Sequence, residues 1–205
     1  MRFTDIHSHN STVENAIFNS GKEYIAGRNI SMGIHPWDID VNWECGFTAI
    51  AEFAKAENVV AIGECGFDTI KSSAPIELQE EVFRLHARLA EEMDKPLIIH
   101  CVKAFDTLIA LHKELSPKQA WIVHGFRGKP QMAGQLTRAG FYISLGEKFN
   151  TDSARAIPTE RLFIESDESR SPIAETYTAI AAAKGTTTEE LARQIAINSH
   201  IFRQF

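Results

Sequence analysis

Two histidines stand one residue apart behind an acid in DIHSHN, residues 5–10. In an extended strand, residues i and i+2 share a face, so His7 and His9 can grip one cation together. Further along, Glu64 ends VVAIGE, His100 ends PLIIH, His124 ends WIVH and Asp167 follows LFIES. The six side chains offer four imidazoles and two carboxylates, a donor set suited to divalent metals. That is enough for two ions, with Glu64 as the bridge. Two divalent ions outweigh two carboxylates and one hydroxide by a single positive charge, which suits a phosphate substrate.

The elements that must position these residues are legible as short apolar runs. Strands are expected at 2–7, 29–34, 59–64, 96–101, 120–125, 141–146 and 161–166. Several are continuously apolar, as parallel strands buried on both faces tend to be. Helical punctuation separates the later ones. Leu78, Val82, Leu85, Leu89 and Met93 form one stripe at helical spacing. Pro130 opens a helix that Gly140 can end, and Ser171-Pro172 start another that Gly185 closes. Thr187 and Glu190 read as a capping box. Strands alternating with helices imply an α/β chain with a parallel sheet. With no linker or repeat, residues 1–205 are expected to form a single domain. Every candidate ligand then falls at a C-terminal strand edge, where TIM-type barrels carry their sites.

Bulk properties narrow the partners. The formal charge of −6 leaves no basic footprint for passive DNA binding, although bound metals can supply positive charge locally. Cys45, Cys65 and Cys101 are an odd number without paired spacing, which fits a reducing compartment. Parity puts Cys65 and Cys101 opposite Glu64 and His100, as packing residues. No apolar run reaches membrane-spanning length, so a cytoplasmic protein without membrane contact is expected, with a monomer favoured. His86, His112 and His200 fall in predicted helices and read as structural.

The ordered motifs DIHSH (5–9), GIHP (33–36), AIGECGFD (61–68), KPLIIH (95–100), VHGF (123–126), GFYISLG (140–146) and ESD (165–167) carry a resemblance. Asn198 and Phe202 near the C-terminus fit it too. The chain resembles the TatD-type metal-dependent deoxyribonucleases, members of the metallo-hydrolase TIM-barrel superfamily. The resemblance implies hydrolysis of DNA phosphodiesters, commonly as an exonuclease, here on single-stranded or frayed ends. It implies that His7, His9, Glu64 and Asp167 hold one metal, and that Glu64, His100 and His124 hold the second. Asp167 would also relay a proton, and Asp68 would orient a ligand or cap the segment after it. Magnesium or manganese would be the working ions, while zinc or nickel suits the bound state.

Departures from the family pattern are local. The interval between His9 and His35 is short for two βα units, and VENAIFN (13–19) is the candidate second strand. The barrel is therefore expected to be shortened or distorted near its first two βα units, with a more open groove there. The chain also falls short of the roughly 250 residues typical of such barrels. Cys101 and Val102 stand where the family carries Ser-Arg, so Lys103 is a candidate phosphate contact, as is Arg127. Lys148 and Arg170 read as solvated cations. His35 either lines the substrate pocket or fixes the loop before Trp37. Two other functions compete with the nuclease. One is a metal-dependent hydrolase of a small ester, amide or phosphoester; the other is a metal-binding interaction protein without catalysis.

Overall fold

The computed structural model describes residues 3–202. The first residue of the strand expected at 2–7 lies outside them. Eight strands run β1 (Asp5–Ser8), β2 (Ala16–Asn19), β3 (Ile30–Met32), β4 (Val59–Asp68), β5 (Leu97–Val102), β6 (Trp121–Val123), β7 (Tyr142–Leu145) and β8 (Leu162–Ile164). They form one sheet in sequence order with every neighbouring pair parallel. At the C-terminal edge β1 meets the segment after β8. His9 N–H donates to Asp167 O at 2.9 Å, and Asp167 N–H donates to His7 O at 2.9 Å. This joins the sheet's edges into a TIM-type barrel and brings the first and last candidate ligands together.

Helices α1 (Trp43–Phe53), α2 (Ile76–Glu92), α3 (Phe105–Leu115), α4 (Pro130–Arg138), α5 (Thr151–Ala156), α6 (Ile173–Lys184) and α7 (Thr188–Asn198) cover the barrel from β3 onward. The punctuation read from sequence holds. Pro130 sits at the first turn of α4, and Gly185 takes a left-handed conformation after α6. Thr187 and Glu190 complete the capping box of α7. Asn198 anchors that helix by donating to the Thr159 and Leu162 carbonyls at 2.8 and 2.9 Å. None of the described helices is long and apolar enough to cross a membrane.

The first two connections carry no helix, as the short His9–His35 interval predicts. Arg28 ties the two loops instead. Its guanidinium donates to Ser11 O at 2.6 Å and Val13 O at 2.9 Å, and lies 4.6 Å from the Phe18 ring centroid. One long, always-charged side chain thus satisfies loop carbonyls that a helix would have used internally.

Two expectations need correction. The apolar stripe of α2 buries Val82 and Leu89 and leaves Leu78, Leu85 and Met93 half-buried at its edge, so it is not the centre of the packed face. The buried face holds Gln79, Val82, Phe83, His86, Ala87, Leu89 and Ala90. Hydrogen bonding turns the helix this way. Gln79 accepts from Asp68 N–H and donates to the Ala74 carbonyl, both at 2.8 Å. The second correction concerns β4, which runs on to Asp68, so Glu64 lies inside the strand rather than at its end. Gly66 permits the extension. Its φ is +140°, and a Cβ there would collide with the His100 carbonyl of β5.

His86 gives a pH-dependent prediction. It is fully buried, its Nε2 accepting from Ile34 N–H at 3.0 Å and its Nδ1–H donating to Val82 O at 2.8 Å. Both nitrogens are committed in the neutral form, and burial pulls the pKa down to about 4. Between that value and the unfolded pKa near 6.5, the unfolded chain binds the extra proton. Stability contributed by keeping His86 neutral is therefore present above pH 6.5 and lost as pH falls towards 4. The full loss is roughly 3 kcal/mol. Urea unfolding at neutral and acid pH should show a shallower acid decline for His86→Gln than for the wild type. Parallel declines would refute the assignment.

Candidate metal centre

Five imidazoles surround one carboxylate. Glu64 is buried, and its oxygens lie 3.4 Å from His7 Nε2, 3.5 Å from His9 Nε2, 3.2 Å from His35 Nε2, 3.0 Å from His100 Nδ1 and 2.7 Å from His124 Nε2. Asn19, at the end of β2, adds an amide N–H donated to Glu64 at 3.0 Å. His9 also faces Asp167 Oδ1 at 3.7 Å. All six ligand candidates read from sequence therefore converge on one point at the barrel's C-terminal mouth.

The electrostatics show what the cluster is short of. His100 lies between two carboxylates, with Glu64 on Nδ1 and Asp68 Oδ2 3.3 Å from Nε2. His124 is held the same way, with Glu64 on Nε2 and Glu165 Oε1 3.4 Å from Nδ1. A neutral imidazole has one N–H and one lone pair, so it can donate to only one of its two acids. The remaining lone pair then faces an anion, unless the ring is protonated or a cation sits between them. Burial favours neutral His124, but the charges of Glu64 and Glu165 outweigh it and raise its pKa well above normal. Burial likewise works to protonate Glu64, and the pull of His124, His100 and His35 holds it well below the carboxylate range. His9 is raised by its hydrogen bond to Glu64.

His7 supplies an independent sign. It is fully buried, its Nδ1 has no hydrogen-bond partner among the described residues, and its Nε2 approaches Glu64 at 3.4 Å without forming a hydrogen bond. A buried polar atom without a partner costs about 1–3 kcal/mol, and a coordinated ion removes that cost. Ligand atoms of His7, His9 and Asp167 lie within 4.8 Å of one another, as do those of His7, Glu64 and His124. The sets His35, Glu64, His100 and His124, Glu165, Asp167 meet the same limit. The donors present fit divalent ions.

The remaining expectations resolve as follows. His35 fixes the loop before Trp37 and also turns towards Glu64. Its Nδ1 accepts from Trp37 N–H at 3.1 Å, fixing the turn at 36–38, while its Nε2 reaches Glu64. Asp68 also combines two roles. Its Oδ1 accepts from the amides of Ile70 and Lys71, both at 2.9 Å, and its Oδ2 faces His100 and accepts from Trp37 Nε1 at 2.7 Å. Burial raises the Asp68 pKa, but these hydrogen bonds prevail and bring it to about 2. Arg127 lines a cleft beside Asp167, whereas Lys103 is exposed and outside that lining. Cys65 is fully buried, and Cys101 is half-buried with its thiol pushed up to about 12 by burial. Phe126 is buried.

Sequence reasoning missed Asn19 and Glu165. Glu165 accepts Gly125 N–H at 2.7 Å as well as facing His124. Burial works to protonate it, but His124 outweighs burial and keeps its pKa low. The available signal was parity, since Glu165 precedes Asp167 as His7 precedes His9.

A family model for TatD related DNase matches residues 6–203. The chain belongs to this family. It is 34% identical over 145 residues to the uncharacterized metal-dependent hydrolase YabD of Bacillus subtilis, covering 67% of this chain and 57% of YabD. It is 32% identical over 151 residues to the 3'-5' ssDNA/RNA exonuclease TatD of a Rahnella species, covering 66% of this chain and 55% of that protein. The TatD-family chain thus spans little more than half the length of these curated relatives. Two solved structures share the fold. The TatD homologue YJJV from Escherichia coli superposes with a TM-score of 0.76 at 19% identity, covering 93% of this chain and 78% of its own. A TatD-family hydrolase from Entamoeba histolytica gives 0.77 at 17% identity, covering 98% of both chains.

Proposed function

We propose that this TatD-family chain is a divalent-metal-dependent nuclease that hydrolyses DNA phosphodiesters as an exonuclease on single-stranded or frayed ends. The observation that carries the proposal is the pair of histidines, His100 and His124, each held between two carboxylates around Glu64. That arrangement calls for cationic charge where a phosphate can approach. Family membership and the exonuclease named among the relatives support the substrate class.

In this reading His7, His9, Glu64 and Asp167 hold one ion, and Glu64, His100 and His124 hold a second. His35 stands as an additional donor beside His100. Bound ions would supply Lewis acidity, activating water and neutralising charge on the phosphoryl oxygens. The chain's own residues do the rest. Asp68 takes the Nε2 proton of His100 as a hydrogen bond, which turns the Nδ1 lone pair towards Glu64. Glu165 does the same for His124 through Nδ1. Asp167, less buried than Glu64 and next to the cleft, is the base placed to take a proton from water. Manganese or magnesium is the proposed working ion, and imidazole-rich ligation makes zinc or nickel a strong competitor.

The test is degradation of end-labelled single-stranded DNA with manganese or magnesium, at low and moderate salt, with a chelator control. Metal-dependent shortening from one end, weakening as salt rises, is the expected result. The net charge of −6 favours the second reading, hydrolysis of a small ester, amide or phosphoester. Metal-loaded protein that leaves DNA intact but cleaves a small phosphoester without salt dependence would establish it.

A further inference from the structure

Beside the metal centre, the loops after β6, β7 and β8 enclose a cleft of about 330 Å³. Each loop contributes one cation to its wall: Arg127, Lys148 and Arg170. All three are exposed, and among the described residues none takes part in an ion pair. Some other cations of this acidic chain are paired with carboxylates. Arg84 is paired with Glu80 and Glu114, Arg155 with Asp152, and Lys55 with Glu52. What marks this cleft is that three cations from three separate loops converge on one wall.

The acids in the same cleft are partly committed. Glu165 is tied to His124 and the Gly125 amide, and Asp167 faces His9. Glu147 is held by the hydroxyls of Ser169 at 2.6 Å and Ser171 at 3.3 Å, a contact that also fastens the β8 loop to the β7 loop. Among the described residues Glu168 has no such tie, so on the outer wall three cations meet the two carboxylates of Glu147 and Glu168. Gly125 and Gly146 form part of the lining, and neither places a side chain between the cations and Asp167.

The geometry points to a subsite for a terminal phosphate monoester, occupied while the neighbouring phosphodiester lies on the metal centre. The inference rests on the nuclease reading and narrows its substrate to strands that end in phosphate. A monoester carries up to two charges and three free oxygens, which suits two guanidinium forks and an ammonium arriving from different sides. An internal phosphodiester has one charge and two free oxygens, and needs less.

The test uses manganese-loaded protein and one short single-stranded oligonucleotide made with a 5'-phosphate, a 3'-phosphate or hydroxyls at both ends. Wild-type protein should cleave one phosphorylated form with kcat/KM about tenfold above the hydroxyl-ended form, and which form it is assigns the strand end. In the double variant Lys148→Gln/Arg170→Gln, the ratio should collapse to about twofold or less. Equal wild-type rates on all three strands would overturn the subsite while leaving the nuclease reading in place. An undiminished ratio in the variant would do the same. If no strand is cut, the nuclease reading fails, and fluorescence anisotropy with the same strands decides the subsite. Tighter binding of a phosphorylated strand, lost in the double variant, supports it; equal binding overturns it.

Discussion

Glu64→Gln is expected to lower metal-dependent hydrolysis by about a thousandfold or more while leaving the barrel folded. The size follows from the number of groups that depend on this one charge. Five imidazole nitrogens and the Asn19 amide lie within 3.5 Å of the Glu64 carboxylate. An amide keeps the shape but has one acceptor oxygen and no charge, so on the proposed reading it could not serve two cations at once. Losing an ion that would activate water and stabilise phosphoryl charge would remove several kcal/mol of transition-state stabilisation. Metal content measured on purified protein should drop with activity, and circular dichroism should be unchanged. A variant with wild-type metal content and activity would remove Glu64 from the centre of the site. Loss of activity with full metal retention would instead make Glu64 a proton-transfer group and not a bridge.

How much of this site was legible in the sequence depends on what each residue's neighbours look like. His7, His9, His100 and His124 could be read because each interrupts or ends an apolar run, and a polar group there needs a reason. Continuous apolar strands separated by capped helices made a parallel α/β sheet legible, and its closure into a barrel came with the ligands at strand ends and the family resemblance. The absent helices at the first two connections followed from the short His9–His35 interval set against the family pattern. What stayed hidden were contacts that depend on tertiary geometry. The length of β4 is set by how closely Gly66 lets the backbone approach β5, which composition does not reveal. The buried face of α2 is set by Gln79 and His86, whose polarity argues against burial until their partners are known. Asn19 ends an ordinary-looking strand, and only the fold brings it to a glutamate far along the chain.

Glu165 is the hidden residue with the largest expected effect, because His124 depends on it. Its carboxylate can only accept hydrogen bonds when ionised, so with an ion between Nε2 and Glu64 the hydrogen of His124 would sit on Nδ1, leaving the Nε2 lone pair for the ion. The carboxylate also makes the ring a stronger donor towards a cation, the effect usual for acids behind metal-binding histidines. Glu165→Gln retains an oxygen for Gly125 N–H and for Nδ1–H but removes the charge. Metal affinity, titrated against a competing chelator, is expected to weaken about 10- to 100-fold. A purely structural role predicts something different: lower stability of the metal-free protein, with affinity altered only as far as folding is. Thermal unfolding of the metal-free forms, together with the nitrogen chemical shifts of His124, separates the two. Affinity within about twofold of wild type would show that His124 keeps its orientation without the charge behind it. Weakened affinity with His124 still protonated at Nδ1 would show that the carboxylate acts through ring basicity more than through tautomer choice.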